Sequence, residues 1–192
     1  MVTGTVTGED AVEAYKDGNF LKGGIVFADA VTTVSNTYAD EIKTPFYGEG
    51  LDGLLRARSN SLRGIVNGID YNDFNPETDI NLSARYNATT FRKEKVKNKI
   101  QLQKDLGLEQ DPKAMMIGIV SRLTDQKGFD LIAYIMDELC QDSVQIVALG
   151  TGDERYENMF RHFDWKYHGK VSAQIYYDES MSHRIYAASD AF

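Results

Sequence analysis

The chain lacks cysteine pairs and long apolar runs. It has one cysteine, Cys140, in 192 residues, and no stretch approaches the roughly 18 apolar residues that a membrane-spanning helix needs. A single cysteine cannot form an internal disulfide, which favours a cytoplasmic compartment, and we expect Cys140 to be a small buried apolar side chain. Residues 1–15 have no basic region followed by an apolar core, so the sequence predicts neither export nor membrane insertion.

An excess of basic residues is also missing. The chain carries 21 lysines and arginines against 29 aspartates and glutamates, a formal net charge of −8. This balance argues against general binding to nucleic acid, so any anion-binding site must be local. The hydrophobic content of 42% is sufficient for a buried core.

Motifs for metal binding and nucleophilic catalysis are missing as well. The histidines His162, His168 and His183 show no ligand spacing with Asp, Glu or Cys, and no D-x-D pair or G-x-S-x-G elbow is present. The sequence therefore predicts no metal and no cofactor. A bound diphosphate would have to be met by protein cations and backbone amides, and we expect His183 to be structural.

Short β-branched runs alternate with amphipathic stretches, which predicts an α/β fold. The predicted strands are residues 30–35, 62–66, 115–120, 144–149 and 171–176, and the predicted helices are residues 37–42, 91–106, 129–141, 154–167 and 179–188. Pro76 and the polar stretch 72–81 indicate a domain boundary near Asp70. The helix 91–106, with Gly107 as its C-cap, carries a basic cluster interpreted as a solvated face: Arg92, Lys93, Lys95, Lys97, Lys99 and Lys104.

The run from Ser121 to Gly128 joins the apolar strand 115–120 to the next helix and contains two cations, Arg122 and Lys127. At the carboxyl end of a parallel strand, free amides and the positive end of the following helix favour an anion. Arg122 could bind phosphate oxygens in a fork while Lys127 supplies a point charge. Taken alone, the pattern fits two solvated surface cations equally well.

Two further strand ends would reach the same sheet edge. Gly150-Thr151-Gly152 allows close backbone approach to a ligand, or only a tight turn with Asp153 as N-cap. Tyr176 and Tyr177 offer an aromatic ring that could stack on a planar base. Strand alternation would send the two rings to opposite faces, so we expect only one to face the ligand.

Several segments together resemble the bacterial glycogen synthases and starch synthases. They are N-F-L-K-G-G-I at 19–25, N-G-I-D at 67–70, N-P-E-T-D at 75–79, S-R-L-T-D-Q-K-G at 121–128, L-G-T-G-D at 149–153 and S-H-R-I at 182–185. The resemblance implies part of a GT-B fold, in which two Rossmann-like domains are both incomplete. Residues 1–69 would be the C-terminal part of the acceptor-side N-terminal domain, and residues 70–192 the first part of the C-terminal nucleotide-binding domain.

The resemblance also implies an activity: glucose is transferred from ADP-glucose to the 4-hydroxyl of an α-1,4-glucan with retention and without a metal. Arg122 and Lys127 match cations that bind the diphosphate and stabilise departing ADP. Tyr177 matches a tyrosine that stacks on adenine. Asn67 matches an asparagine near the interdomain cleft, and Gly150 with Thr151 matches the loop near the phosphates.

The chain departs from the family pattern at both ends. The K-x-G-G-L loop is absent, since Lys22-Gly23-Gly24 has the wrong spacing, and the sequence ends just before the family's catalytic glutamate. We therefore expect the isolated chain to be inactive and to self-associate through exposed edges. Two alternatives remain: a GT-B transferase that uses a UDP-sugar, and a noncatalytic module that binds a nucleotide or a glucan.

Overall fold

The computed structural model describes residues 18–192 in full and, before them, the backbone of Glu13, Ala14 and Asp17. It contains two compact units, divided between Ile69 and Asp70. The division lies at the predicted boundary, and the assignment of the units to the two GT-B domains stays a prediction. Within residues 18–192, no helix is long and apolar enough to cross a membrane.

The first unit has short elements. They are β1 (Glu13–Ala14), β2 (Asp17–Gly18), α1 (Phe20–Phe27), β3 (Val31–Thr33), α2 (Asn36–Glu41), α3 (Asp52–Ala57) and β4 (Leu62–Gly64). β1 and β2 pair antiparallel, and β3 pairs parallel with β4. The predicted strands 30–35 and 62–66 are therefore present but shorter, and α1 and α3 were missed.

Polar caps and a small core hold these elements. The Asn19 side chain accepts a hydrogen bond from the Lys22 amide at 2.9 Å, and the Ser35 hydroxyl accepts one from the Tyr38 amide at 3.2 Å. Each bond satisfies an amide that a helix start leaves unpaired. Among the described residues of this unit, the core consists of four buried side chains: Ala39, Ile42, Leu55 and Leu62.

The second unit has a parallel three-stranded sheet in the order β5-β6-β7. Its elements are α4 (Phe91–Asp105), β5 (Met115–Val120), a 3₁₀ turn (Asp125–Lys127), α5 (Phe129–Leu139), β6 (Val144–Leu149), α6 (Glu154–Lys166), β7 (Val171–Gln174) and α7 (Glu179–Ala188). All of the predicted elements of this unit are confirmed, with ends that differ by a few residues.

Helices cover both faces of this sheet. Met116, Val147 and Leu149 pack with residues of α4 and α7, while Ile146 and Ala148 pack on the other side with α5 and α6. Alternate residues of β6 therefore enter different cores, as expected for a strand that is buried on both faces. The run 115–120 is apolar throughout and the run 144–149 is apolar except for the buried Gln145, because helices cover both faces of the sheet.

Cys140 lies at the end of α5 and is 4% exposed, packed with Met136, Ile146, Phe163 and Val171. This confirms the expectation of a small buried side chain. Burial raises the pKa of its thiol, with Asp137 adding to the effect. The thiol is therefore held in its neutral, unreactive form.

The carboxyl end of α4 closes with a glycine. Gly107 has φ 69°, its amide donates to the Lys104 carbonyl at 3.4 Å, and the Leu108 amide donates to the Gln103 carbonyl at 2.8 Å. These two bonds form a Schellman motif, which requires a left-handed residue just past the helix. Leu106 is the C-cap itself, so Gly107 stands one position beyond the predicted cap.

The interpretation of the basic cluster on α4 as a solvated face is wrong for Lys99 and Lys95. Lys99 is 5% exposed, and its ammonium donates to the Ala114 carbonyl at 2.9 Å and to the Asp190 carboxylate at 2.5 Å. The Lys95 ammonium donates to the Tyr186 carbonyl at 3.0 Å, and burial lowers its pKa. Both side chains hold α4 against neighbouring segments.

Asp190 also accepts the Met116 amide at 2.8 Å, and the segment that contains it runs beside β5. Ala191 pairs parallel with Ile117, on the side of β5 opposite β6. β5 is therefore an inner strand with a neighbour on each side. Lys99 and Asp190 together fix the chain after α7 to this edge.

The buried role of Lys99 predicts a stability difference between two lysines of one helix. Lys99→Ala should lower the free energy of unfolding by about 1–3 kcal/mol, because two acceptors lose their buried donor. Lys93→Ala removes an exposed lysine from the same helix and should stay within about 0.5 kcal/mol of wild type. Urea unfolding measures both, and equal effects would contradict the assignment.

Candidate functional site

A cavity of about 310 Å³ opens at the carboxyl ends of the three parallel strands of the second unit. Ligand pockets of small molecules begin at about this size. Its lining comes from the three strand-to-helix loops, from α7 and from the segment before α4: Phe74, Val120, Ser121, Arg122, Leu149, Gly150, Thr151, Tyr176, Tyr177, Asp178, Glu179, Ser182 and Tyr186.

The position of this cavity follows from the order of the strands. The chain passes from β5 to β6 and then to β7 in one direction, and Ala191 returns to the opposite side of β5. The order reverses at β5, and ligands of open α/β sheets bind outside the carboxyl end of the strand where such a reversal occurs. Val120, Ser121 and Arg122 stand at that point.

Arg122 is directed outward by its neighbours. Leu123 is fully buried between the sheet and α6, while Arg122 is exposed and lines the cavity. Within the described residues, its guanidinium forms no hydrogen bond or ion pair with the protein. The arginine therefore presents a complete set of donors, which can bind an anion in a bidentate fashion.

Close backbone packing explains why residues 150 and 152 are glycines. A Cβ on Gly150 would collide with the carbonyl oxygen of Ser121, and one on Gly152 would collide with that of Leu123. The two loops run side by side, since the Leu123 amide donates to Thr151 at 3.0 Å and the Asp153 amide donates to Leu123 at 2.7 Å. Glycine is needed here for backbone packing between loops, whatever the ligand.

The amides of Gly150 and Gly152 are both occupied by acceptors within the protein. The Gly150 amide donates to the Gln174 carbonyl at 3.1 Å, and the Gly152 amide donates to the Glu157 carboxylate at 3.0 Å. The bond from Gly152 lowers the pKa of Glu157, with Arg161 adding to the effect. Asp153 stands at the N-cap position of α6, as expected, but its side chain makes no capping bond.

The expectation that only one of the two tyrosines could face a ligand is wrong. β7 ends at Gln174, two residues earlier than predicted, so strand alternation does not reach Tyr176 or Tyr177. Both line the cavity. Tyr176 is tied by its hydroxyl to the Gln174 side chain at 2.8 Å, while Tyr177 is 87% exposed and keeps its ring faces uncovered.

Two predicted site residues do not line this cavity. Lys127 is exposed on the 3₁₀ turn. Asp125 anchors this turn to α6, because it accepts a hydrogen bond from the Tyr156 hydroxyl at 2.6 Å and forms an ion pair with Arg155. Asn67 lies in the first unit, on the exposed segment after β4. Their predicted roles at the ligand stay predictions.

Phe74 and Tyr186 also line the cavity, although no sequence pattern indicated them. Phe74 stacks on His183, with ring centroids 4.7 Å apart and planes 16° apart. His183 is buried and bonds through Nδ1 to Asp79 at 2.6 Å, which confirms its structural role. Asp79 and His183 are 104 positions apart, so no local sequence pattern indicated the contact.

No group of three or more metal-ligating side chains comes together in the part of the chain that the structure describes. The carboxylates that line the cavity belong to Asp178 and Glu179. Asp178 is engaged as the N-cap of α7, where it accepts the Met181 amide at 2.7 Å. A ligand at this edge would therefore meet one arginine, the Glu179 carboxylate and four aromatic side chains.

The loop contact predicts that Gly150 tolerates no side chain. Gly150→Ala should cost about 2–4 kcal/mol, because overpacking against backbone adds to the strain of a positive φ. Gly107→Ala is the matched control, since its φ is 69° and nothing lies within 4 Å of its added Cβ; strain alone should cost about 1–2 kcal/mol. Equal losses in thermal unfolding would refute the loop contact.

The Asp79–His183 pair predicts a pH-dependent stability. Burial raises the Asp79 pKa, but bonds from Asn81 and His183 outweigh it and hold the pKa below the usual 3.8. A carboxyl with a lowered folded-state pKa stabilises the fold above its unfolded pKa and loses that contribution as the pH falls through the folded value. Asp79→Asn should thus cost about 1–3 kcal/mol at pH 7.

The pH-dependent contribution of Asp79 can be checked by measuring the unfolding free energies of wild type and Asp79→Asn across pH. The gap between the two curves should be constant above about pH 5 and shrink as the pH falls through the acidic range. A gap that persists unchanged at the lowest pH would mean that the carboxylate charge contributes nothing.

The chain is similar in sequence to known starch and glycogen synthases. A family model of the starch synthase catalytic domain matches residues 4–57. The glycogen synthase of Lachnospira eligens is 70% identical over 95% of this chain and 38% of its own length, and that of Clostridium acetobutylicum is 55% identical over 96% and 38%. The chain therefore spans less than two fifths of these relatives.

A solved structure agrees in fold. The catalytic domain of starch synthase IV from Arabidopsis thaliana, bound to ADP and acarbose, matches with a TM-score of 0.86 at 37% identity, over 94% of this chain and 37% of that one. Over nearly its whole length the chain is therefore similar to one part of the glycogen and starch synthases.

Proposed function

We propose that this chain carries the donor-nucleotide site of a retaining glucan synthase, which transfers glucose from ADP-glucose to the 4-hydroxyl of an α-1,4-glucan such as glycogen. The observation that carries the proposal is the cavity itself, in which one unpaired arginine and exposed aromatic rings meet at the strand-order reversal. A nucleoside diphosphate has the two matching parts, a planar base and an anionic diphosphate.

The charges around the cavity leave Arg122 as the place where an anionic group can bind. The chain has a net charge of −8, so it does not attract anions generally. Arg122 is the one cation among the cavity-lining residues, which also include the carboxylates of Asp178 and Glu179. The amides of Gly150 and Gly152 are engaged within the protein. Recognition of the diphosphate therefore depends on Arg122, and on Lys127 if the 3₁₀ turn approaches the ligand.

The chemistry assigns these cations a role in the reaction. Transfer breaks the bond between the anomeric carbon and the diphosphate oxygen, forms a bond to the acceptor 4-oxygen, and releases the proton of that hydroxyl. Positive charge develops on the sugar and negative charge on the departing ADP. Fixed cations at the diphosphate stabilise that charge without a metal ion, and we propose Arg122 and Lys127 for this role.

Other parts of the proposal rest on the similarity to the relatives described above. Starch synthase IV was solved with ADP, which supports an adenine nucleotide over the uridine alternative. We propose that Tyr177 stacks on the base, that Gly150 and Thr151 lie by the phosphates, and that Asn67 also takes part in donor binding. A single cysteine and a nucleotide-sugar donor fit a cytoplasmic protein.

Arg122→Ala tests the proposal. Isothermal titration with ADP should show a loss of about tenfold to a hundredfold in affinity, because a charge-assisted bidentate contact contributes about 1.5–3 kcal/mol. Arg92→Ala, which removes an exposed arginine from α4, should bind ADP like wild type. Titrations with EDTA should give the same affinities.

Three results would count against the proposal. Unchanged ADP binding by Arg122→Ala would place the nucleotide elsewhere. A strict requirement for a divalent ion would contradict metal-free recognition of the diphosphate. Tighter binding of UDP than of ADP would favour a transferase that uses a uridine sugar.

A further inference from the structure

We propose that Phe74 is a second aromatic contact for the nucleotide base, and that the buried Asp79–His183 pair holds it there. The inference rests on the proposed nucleotide site and deepens it, since it concerns which part of the ligand each residue recognises. Phe74 comes from the segment between Asp70 and α4, which has no regular secondary structure. Its place at the cavity therefore needs an anchor.

Turns at both ends of the Phe74 segment give it a defined backbone. The Phe74 amide donates to the Asp70 carbonyl at 2.8 Å, and the Asp79 amide donates to the Asn75 carbonyl at 2.9 Å. The Asn75 side chain accepts the Glu77 amide at 3.0 Å. The segment is thus a chain of hydrogen-bonded turns rather than an open loop.

The Asp79–His183 bond fixes these turns to α7. Both side chains are 6% exposed and lie 2.6 Å apart. Asp79 also accepts the Asn81 amide at 2.8 Å and the Asn81 side-chain amide at 2.9 Å, so its carboxylate is well satisfied. Since buried, charge-assisted bonds of this kind are hard to replace, the segment cannot move away from α7 without breaking them.

His183 in turn positions the ring of Phe74. The two rings stack almost parallel at 4.7 Å, and Tyr186 meets Phe74 edge-on at 6.3 Å. One face of Phe74 is therefore covered by protein. The side chain nevertheless remains 45% exposed and lines the cavity.

This exposure favours a ligand over a purely structural role. Phe74, Tyr176, Tyr177 and Tyr186 all line the cavity, and each is at least 37% exposed. A ring that served only packing would bury both faces, whereas a rigidly held, half-exposed ring loses its unfavourable contact with water when a planar apolar group covers it. The base of a nucleotide is such a group.

The inference predicts a split between two ligands. Phe74→Ala should weaken ADP about fivefold to a hundredfold, the range for one lost base-stacking contact. It should leave inhibition of ADP binding by inorganic pyrophosphate unchanged, because pyrophosphate carries no base. Phe74→Trp should restore most of the ADP affinity, and Asp79→Asn should weaken ADP in the same selective way as Phe74→Ala.

The experiment is isothermal titration of the 192-residue chain with ADP, with pyrophosphate as competitor, at a temperature where each variant is folded by circular dichroism. Tyr134→Ala is the control, since Tyr134 is an aromatic residue on α5 that is 89% exposed and outside the cavity lining. Its affinity for both ligands should equal that of wild type.

The outcomes separate the two proposals. If wild type shows no saturable ADP binding, both the proposed nucleotide site and the proposed role of Phe74 are refuted. If wild type binds ADP and Arg122→Ala weakens it while Phe74→Ala does not, only this inference falls. Equal loss of ADP and pyrophosphate in Phe74→Ala would show a general disturbance of the cavity and would also overturn it.

Discussion

The close backbone contact between residues 121–123 and 149–153 determines where the candidate ligand groups of the second unit lie. The parallel pairing of β5 with β6 continues past the strand ends, through the bridge between Leu123 and Gly152. This contact uses the amides of Ser121, Leu123 and Asp153 and leaves no room for a Cβ at Gly150 or Gly152, so most of the backbone there is committed to the fold. Recognition of a ligand then falls to side chains around the loops.

The second unit could be predicted well from sequence because its core is two-sided. Continuous apolar runs such as Met115–Val120, followed by helices of regular spacing, indicate buried parallel strands without knowledge of tertiary contacts. The helices of the first unit were harder to predict from the sequence. α1 contains Gly23 and Gly24, which have poor helix propensity, and it depends on the Asn19 cap and on packing of Ile25 for its stability.

The errors on α4 and at Phe74 arise from contacts distant in sequence. The spacing of the lysines on α4 could not show that Lys99 meets Asp190, 91 positions away, and a solvated lysine has the same local pattern as a buried one. Arg122, Gly150, Thr151 and Tyr177 lie around one cavity, as strand-end reasoning predicted, since that argument needs only topology. Phe74 enters through the Asp79–His183 bond, and no periodicity reports such a bond.

The burial of Cys140 has a consequence for observing this molecule. Its thiol lies in the core between β6, α5 and α6, and it is the one sulfhydryl of the 192 residues. A thiol reagent can reach it only when these elements separate, so the rate of labelling measures how often that part of the second unit opens. The chain thus carries an intrinsic reporter of local unfolding on the sheet face opposite α4 and α7, and a ligand that stabilises the closed sheet would be visible as slower labelling.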